Sequence, residues 1–120
     1  IHDVALPAGA STTYSADFDL GAGEKFEDVE LLVDIPALAL TELPDTKTIT
    51  AKVYHGDAAS PTDELAELGK VTGATGTDPS APATFRYRFP SDVKRYVRVG
   101  FTGLVGVDAD EKKGVAGLVF

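Results

Sequence analysis

Few side chains in this sequence have the type and spacing to do chemistry, and each set has a definite requirement to meet. His2 and His55 are the only histidines, and there is no cysteine. A zinc-type centre needs several nitrogen or sulfur ligands converging, so two imidazoles without thiolates fall short of one. His55 sits at the end of an apolar strand face and is expected to face a turn; His2 is expected in solvent. Asp108-Ala109-Asp110-Glu111 offers three carboxylates in one loop. An EF-hand-like calcium loop also needs a further acid and a glycine at its sharp turn, and Lys112-Lys113 beside it would oppose a cation. The expectation there is a solvated turn. Asp17, Asp19, Glu30 and Asp34 read as outward carboxylates on successive strands. Paired acids hydrolyse glycosides only in a cleft that raises one pKa, so these are expected to form a negative solvated sheet face. No G-x-S-x-G elbow or Ser/His/Asp spacing marks a nucleophile. The reading is a non-enzymatic protein with no catalytic, cofactor-binding or metal residues.

The arginines are the most distinctive set. All four (Arg86, Arg88, Arg95 and Arg98) lie between Phe85 and Phe101 in a chain of net charge −8. That stretch, FRYRFPSDVKRYVRVGF, reads as two alternating strands around a Pro-containing corner. Phe85, Tyr87 and Phe89 share one face of the first, with Arg86 and Arg88 opposite. Val97, Val99 and Phe101 share one face of the second, with Tyr96 and Arg98 opposite. Paired as a hairpin, the two segments would gather Arg86, Arg88 and Arg98 with Tyr96 on a single face. Like charges placed across a sheet cost stability unless compensated. The compensation is either internal, from this chain's own acids, or external, from carboxylates of a partner. Arg and Tyr are the residue types enriched at interface hot spots, so Arg86, Arg88, Lys94, Arg95, Tyr96 and Arg98 are the candidate partner contacts.

The elements that must position these residues read as strands. Tyr14–Leu20 alternates with Tyr14, Ala16, Phe18 and Leu20 on one side. Val29–Ile35 is a second strand, closed by Pro36. Residues 37–46 read as a loop. Lys47–His55 is a third strand, with Ile49, Ala51, Val53 and His55 on its apolar face. Residues 62–68 carry a helix-start signature at Thr62, but 65–71 reads equally well as a short strand. Residues 73–82, small and polar with two prolines, read as a mobile connection. A glycine-punctuated loop over 103–113 leads to a terminal strand, 114–120. Seven or eight short strands without a sustained helix predict an all-β, antiparallel β-sandwich, jelly-roll or immunoglobulin-like. Residues 1–13 form an N-terminal arm or edge strand and residues 14–120 a single sandwich domain.

Composition sets the bounds. One hundred and twenty residues, 43% hydrophobic, suffice for one buried core. Absence of cysteine suits an intracellular or virion protein better than a small secreted one. No apolar run reaches the roughly 18 residues of a membrane span. With Ile1 first and no methionine anywhere, residues upstream are expected to have been processed or to lie outside this sequence. The acidic balance argues against nucleic acid as partner, since that affinity comes from neutralising phosphates.

Asp19-Leu20-Gly21, the apolar strand after it, Pro90 leading into Lys94-Arg95-Tyr96-Val97-Arg98-Val99, the glycine-rich loop and Ala116-Gly117-Leu118-Val119 occur in an order that resembles the capsid cement, or decoration, proteins of tailed bacteriophages. The resemblance spans roughly residues 11–120. It implies a jelly-roll-like sandwich on the exterior of the virion head that bridges major capsid subunits and reinforces the mature shell as a homodimer or homotrimer, without cofactor. An arm at residues 1–13 would then lie across a neighbouring subunit. The rival classes are a carbohydrate-binding module, disfavoured by the absence of Trp and by the core parity of Tyr14 and Tyr87, and an immunoglobulin-like adhesion domain, which lacks the Cys and Trp signature.

Overall fold

The structure, a computed structural model, describes residues 2–20, 29–74, 79–90 and 92–119. Among the described residues nine strands run in chain order: β1 (His2–Ala5), β2 (Thr12–Tyr14), β3 (Phe18–Asp19), β4 (Glu30–Ile35), β5 (Thr48–Gly56), β6 (Asp63–Thr72), β7 (Ala83–Arg88), β8 (Tyr96–Thr102) and β9 (Lys113–Val119). They form two antiparallel sheets, β1-β9-β4-β7 and β2-β8-β5-β6, with the two-residue β3 also on β8. The protein is an all-β sandwich, as the alternation predicts.

The pairing settles which sandwich. With the short β3 set aside, the first strand pairs the last, the second pairs the next to last, and so inward to the β5–β6 hairpin. The chain is therefore one long hairpin rolled so that successive partners fall alternately in the two sheets. That is the jelly roll, not the immunoglobulin arrangement.

Strict alternation builds the core. β4 reads Glu-Leu-Leu-Val-Asp-Ile with every second residue buried, and β5 and β8 alternate likewise except that Tyr54 and Gly100, on the outward side, are buried too. Leu31, Val33 and Ile35 from one sheet meet Ile49, Val53, Val97, Val99 and Phe101 from the other, all buried. Each such side chain is worth about 1.5–3 kcal/mol of transfer free energy. β6 explains its own ambiguity. Two register shifts against β5, at Ala51/Lys52 and Val53/Tyr54, let Leu65, Ala66 and Leu68 all pack towards the core although their spacing fits neither simple period. The helical alternative for 62–68 is thus replaced by strand from Asp63.

Two loops are better anchored than their composition suggests. Leu38 and Leu43, in the 37–46 loop, are fully buried. Ser80, also buried, donates its backbone N–H to Leu38 O (2.8 Å) and accepts the Leu38 N–H on its hydroxyl (3.0 Å). At the other end of the same connection, Gly73 N–H donates to Lys47 O (2.9 Å). The described ends of the 73–82 segment are therefore pinned, contrary to the expectation of a freely mobile connection; residues 75–78 lie outside the described set. The N-terminal segment is placed as an edge strand: β1 pairs β9 from His2↔Ala116 to Ala5↔Lys113, and Leu6 behind it is fully buried.

Candidate functional site

The predicted arginine hairpin does not form. β7 lies at the edge of the four-stranded sheet, against β4, whereas β8 lies inside the five-stranded sheet between β2 and β5. β7 and β8 belong to different sheets, and this places Arg86 and Arg88 on one side of the molecule and Arg98 on the opposite side. Alternation fixed the face of each arginine within its own strand correctly; it said nothing about which strand would be the neighbour.

Arg86 and Arg88 are compensated internally. Both reach Glu30 on the adjacent strand, at 3.6 and 3.3 Å, with their side chains well exposed. Exposed pairs of this kind contribute about 0–1 kcal/mol. Glu30 and Asp34 belong to this outer face, where Asp34 accepts the Thr84 hydroxyl proton. Asp19 belongs to the other sheet, and Asp17 accepts the Ser60 N–H at 2.8 Å. The four acids expected to share one negative face are thus divided.

On the five-stranded sheet the composition becomes distinctive. β8 points Tyr96, Arg98 and Thr102 outward, and the neighbouring strands add Tyr14 and Tyr54. Three of the chain's four tyrosines therefore share one face. The Arg98 guanidinium carbon stands 3.7 Å from the centroid of the Tyr14 ring, and its Nε–H donates to Pro61 O at 2.8 Å. A cation held both by a ring face and by a carbonyl is preorganised, so little side-chain entropy remains to be lost on contact. Tyr14 and Tyr54 meet edge to face at 5.5 Å. Gly100 makes room for them: a Cβ there would lie 2.6 Å from Tyr54 Cε2 and 3.2 Å from Tyr14 Cδ1.

Beside this group, Arg95 donates two parallel hydrogen bonds to Asp19 (2.8 and 2.9 Å) and lies 5.0 Å from the Tyr96 ring centroid. The Asp19 carboxylate bonded to it holds the Arg95 pKa above the ordinary arginine value. Lys94, 3.9 Å from Asp57, gives its backbone N–H to His55 Nδ1 at 3.2 Å. His55 thus steadies the approach to β8, its ring facing the loop that leads into that strand. His2 packs against Phe18 with centroids 4.5 Å apart and the rings tilted at 42°, half-buried where a solvent position was expected.

Tyr14 corrects the sequence reading. It is 40% exposed where the alternation of 14–20 placed it in the core. The cause is Ser15. Its hydroxyl accepts the Val99 N–H (2.9 Å), its own N–H donates to Val99 O (2.8 Å), and the residue is buried. Ser15 takes the inward place, and the regular alternation is broken before Phe18. A small hydroxyl residue inside an otherwise alternating run was the available signal.

Charge is apportioned unevenly. The outer face of the four-stranded sheet carries Asp3, Glu30 and Asp34 against Arg86, Arg88 and Lys113; that of the five-stranded sheet carries Asp19, Glu64 and Glu67 against Lys52, Lys70 and Arg98. Among the described residues each face is balanced, three against three, so neither contributes to the net charge of −8. Lys52, bonded to Glu64 at 2.9 Å, has its pKa raised by that bond. The Tyr–Arg face is therefore neutral overall, with fixed local charges, in a chain of net charge −8.

Burial pushes the Tyr54 phenol above its ordinary pKa, with neighbouring Tyr14 adding to the effect; burial does the same to Tyr87. The unfolded chain then loses those protons first as pH rises, so the contribution of these two phenols to stability is constant below about pH 10 and is lost above it. Spectrophotometric titration is expected to show two phenols ionising late, and Tyr54→Phe to remove one of them. Two late phenols still present in that variant would refute the assignment.

Among the described residues no group of three or more His, Asp or Glu side chains is placed to hold a metal ion. Asp108, Asp110 and Glu111 border a shallow cavity of about 370 Å³ with Glu42, whose carboxylate Lys112 contacts at 3.3 Å. Comparison with protein-family models, with curated proteins and with solved structures returned no match.

Proposed function

We propose that this chain is a non-enzymatic binding protein that attaches to the exterior of a tailed-phage head through the outer face of its five-stranded sheet, bridging major capsid subunits and stabilising the mature shell. The order of sequence elements, which resembles that of cement proteins, is what suggests the phage setting. The observation that carries the contact surface is the grouping of Tyr14, Tyr96 and Arg98 on one face around the buried Tyr54, with Arg98 fixed on the Tyr14 ring and on Pro61 O. Tyr and Arg anchors concentrate interface energy, and repeated weak contacts over a lattice add up through avidity. Lys94 and Arg95 extend the surface; Arg86 and Arg88, on the opposite sheet, fall outside this contact.

The test is co-sedimentation of the purified chain with mature and immature heads at low and high salt. Saturable binding to mature heads, weakened by salt, is expected. Tyr96→Ala combined with Arg98→Ala should weaken it by at least about 30-fold, a hot-spot loss of 2 kcal/mol or more. Failure of the unaltered chain to bind either kind of head overturns the reading.

The outward position of Tyr14 favours one alternative, a carbohydrate-binding module, because an exposed ring on a sheet face is the element that stacks on a sugar. Glycan-array binding lost on Tyr14→Ala would select that reading.

A further inference from the structure

The four arginines differ in what neutralises them. Arg86 and Arg88 share Glu30, and Arg95 holds Asp19. Arg98, half-buried on β8, has no carboxylate within ion-pair distance among the described residues. Its partners are neutral: the Tyr14 ring, and Pro61 O, which takes only the Nε–H. The remaining guanidinium donors, on Nη1 and Nη2, meet no protein acceptor among the described residues. Side by side, those two nitrogens have the spacing that grips both oxygens of one carboxylate.

The acids closest in register are committed elsewhere. Asp19, opposite Tyr96, is engaged by Arg95; Glu64, opposite Tyr54, is bonded to Lys52, which also faces Glu67. A ring quadrupole and a carbonyl dipole steady the Arg98 cation without cancelling its charge. The charge is therefore held, partly desolvated, where a hydrogen-bonded counter-ion is worth more than in water.

We propose, resting on the reading of this face as the contact surface, that Arg98 receives a single carboxylate, that of an Asp or Glu side chain on the partner protein. Charge selects this occupant. A phosphate brings nearly twice the charge and is bound by clusters of cations, but the neighbouring Lys94 and Arg95 already face Asp57 and Asp19. A densely acidic partner surface is repelled by a chain of net charge −8. One carboxylate set among uncharged groups matches one cation set among tyrosines. An acidic sugar fits less well, because stacking needs an open ring and the guanidinium already covers one face of Tyr14.

The first test needs no capsid. Acetate is titrated into the isotope-labelled chain at constant ionic strength, and the guanidinium resonances of all four arginines are followed by NMR. The Arg98 signals should shift saturably, with a Kd of roughly 10–100 mM, while those of Arg95, already bonded to Asp19, move little; acetamide should move neither. Arg98 signals that stay still, or follow those of Arg95, overturn the proposal. Glucuronate or inorganic phosphate binding at least about tenfold more tightly than acetate overturns it in favour of an acidic sugar or a phosphate. The second test uses mature heads whose surface carboxylates have been converted to amides. The unaltered chain should bind them at least about tenfold more weakly than native heads. Arg98→Gln should bind both kinds alike, and Arg86→Gln, altered on the opposite sheet, should keep the preference for native heads. Equal binding of the unaltered chain to native and amidated heads overturns the proposal and leaves the capsid reading standing. Binding to no head overturns the capsid reading, and the acetate titration then decides the carboxylate site by itself.

Discussion

Phe101→Ala is expected to lower the stability of the fold by about 3–5 kcal/mol and its melting temperature by roughly 10–20 °C. Phe101 is fully buried and is the largest side chain in that class. It lies on β8, the strand that contacts three others, and its ring reaches the opposite sheet at Gly114, where a Cβ would come within 2.8 Å of Cζ. The space it leaves is walled by β-strands whose hydrogen-bond registers resist collapse, so the cavity term persists in addition to the lost transfer energy. Urea denaturation checks the figure. A loss below about 1.5 kcal/mol would mean that the two sheets close over the gap, and that the sandwich is more deformable than its packing implies.

Gly73→Ala is expected to cost about 3 kcal/mol through the backbone alone. An added Cβ would stand 2.0 Å from Pro44 O, 2.5 Å from Pro44 C and 2.6 Å from Leu43 O. All three atoms are main chain, so no rotamer change relieves the collision. Gly73 also bonds to Lys47 O and forms a parallel bridge with Asp45, so the shift would propagate into the loop that buries Leu43. Gly100→Ala makes an informative contrast, because there the obstacles are the rings of Tyr54 and Tyr14, which can swing away. Comparable losses of denaturation midpoint at the two sites would refute this distinction between backbone and side-chain obstruction.

Much of the sandwich was legible in alternation alone. β4, β5, β8 and β9 are periodic enough to read, and the buried set Leu31, Val33, Ile35, Ile49, Ala51, Val53, Val97, Val99 and Phe101 follows from parity. What parity cannot supply is the identity of a strand's neighbour. Phe85–Phe101 resembled a hairpin because both halves alternate and a proline stands between them, yet seven residues separate β7 from β8, a connection long enough to change sheets. The candidate site suffered from the same limit. Tyr96 and Arg98 were legible as a pair on β8, but Tyr14 and Tyr54 join them only through pairings distant in sequence, and the inward turn of Ser15 reverses the face on which Tyr14 was expected. Leu38 and Leu43 lie in a segment with neither period, and they are buried because the loop carrying them covers the core.

The nested pairing of the strands bears on the order in which this chain can fold. His55 and Asp63, partners in the β5–β6 hairpin, are eight residues apart, whereas His2 and Ala116 are separated by 114. Closing the outer loop directly from a disordered chain costs about 2 kcal/mol more conformational entropy than closing the inner one. Zippering outward from the hairpin avoids most of that difference, since each completed pair draws the next two strands together and leaves only short connectors to order. β1 and β9 are then the last partners to meet. Until β9 docks, one side of β4 stays open, a hydrogen-bonding edge bare on the incomplete sheet, and the interval before that closure is when the chain is most exposed to pairing with a stranger.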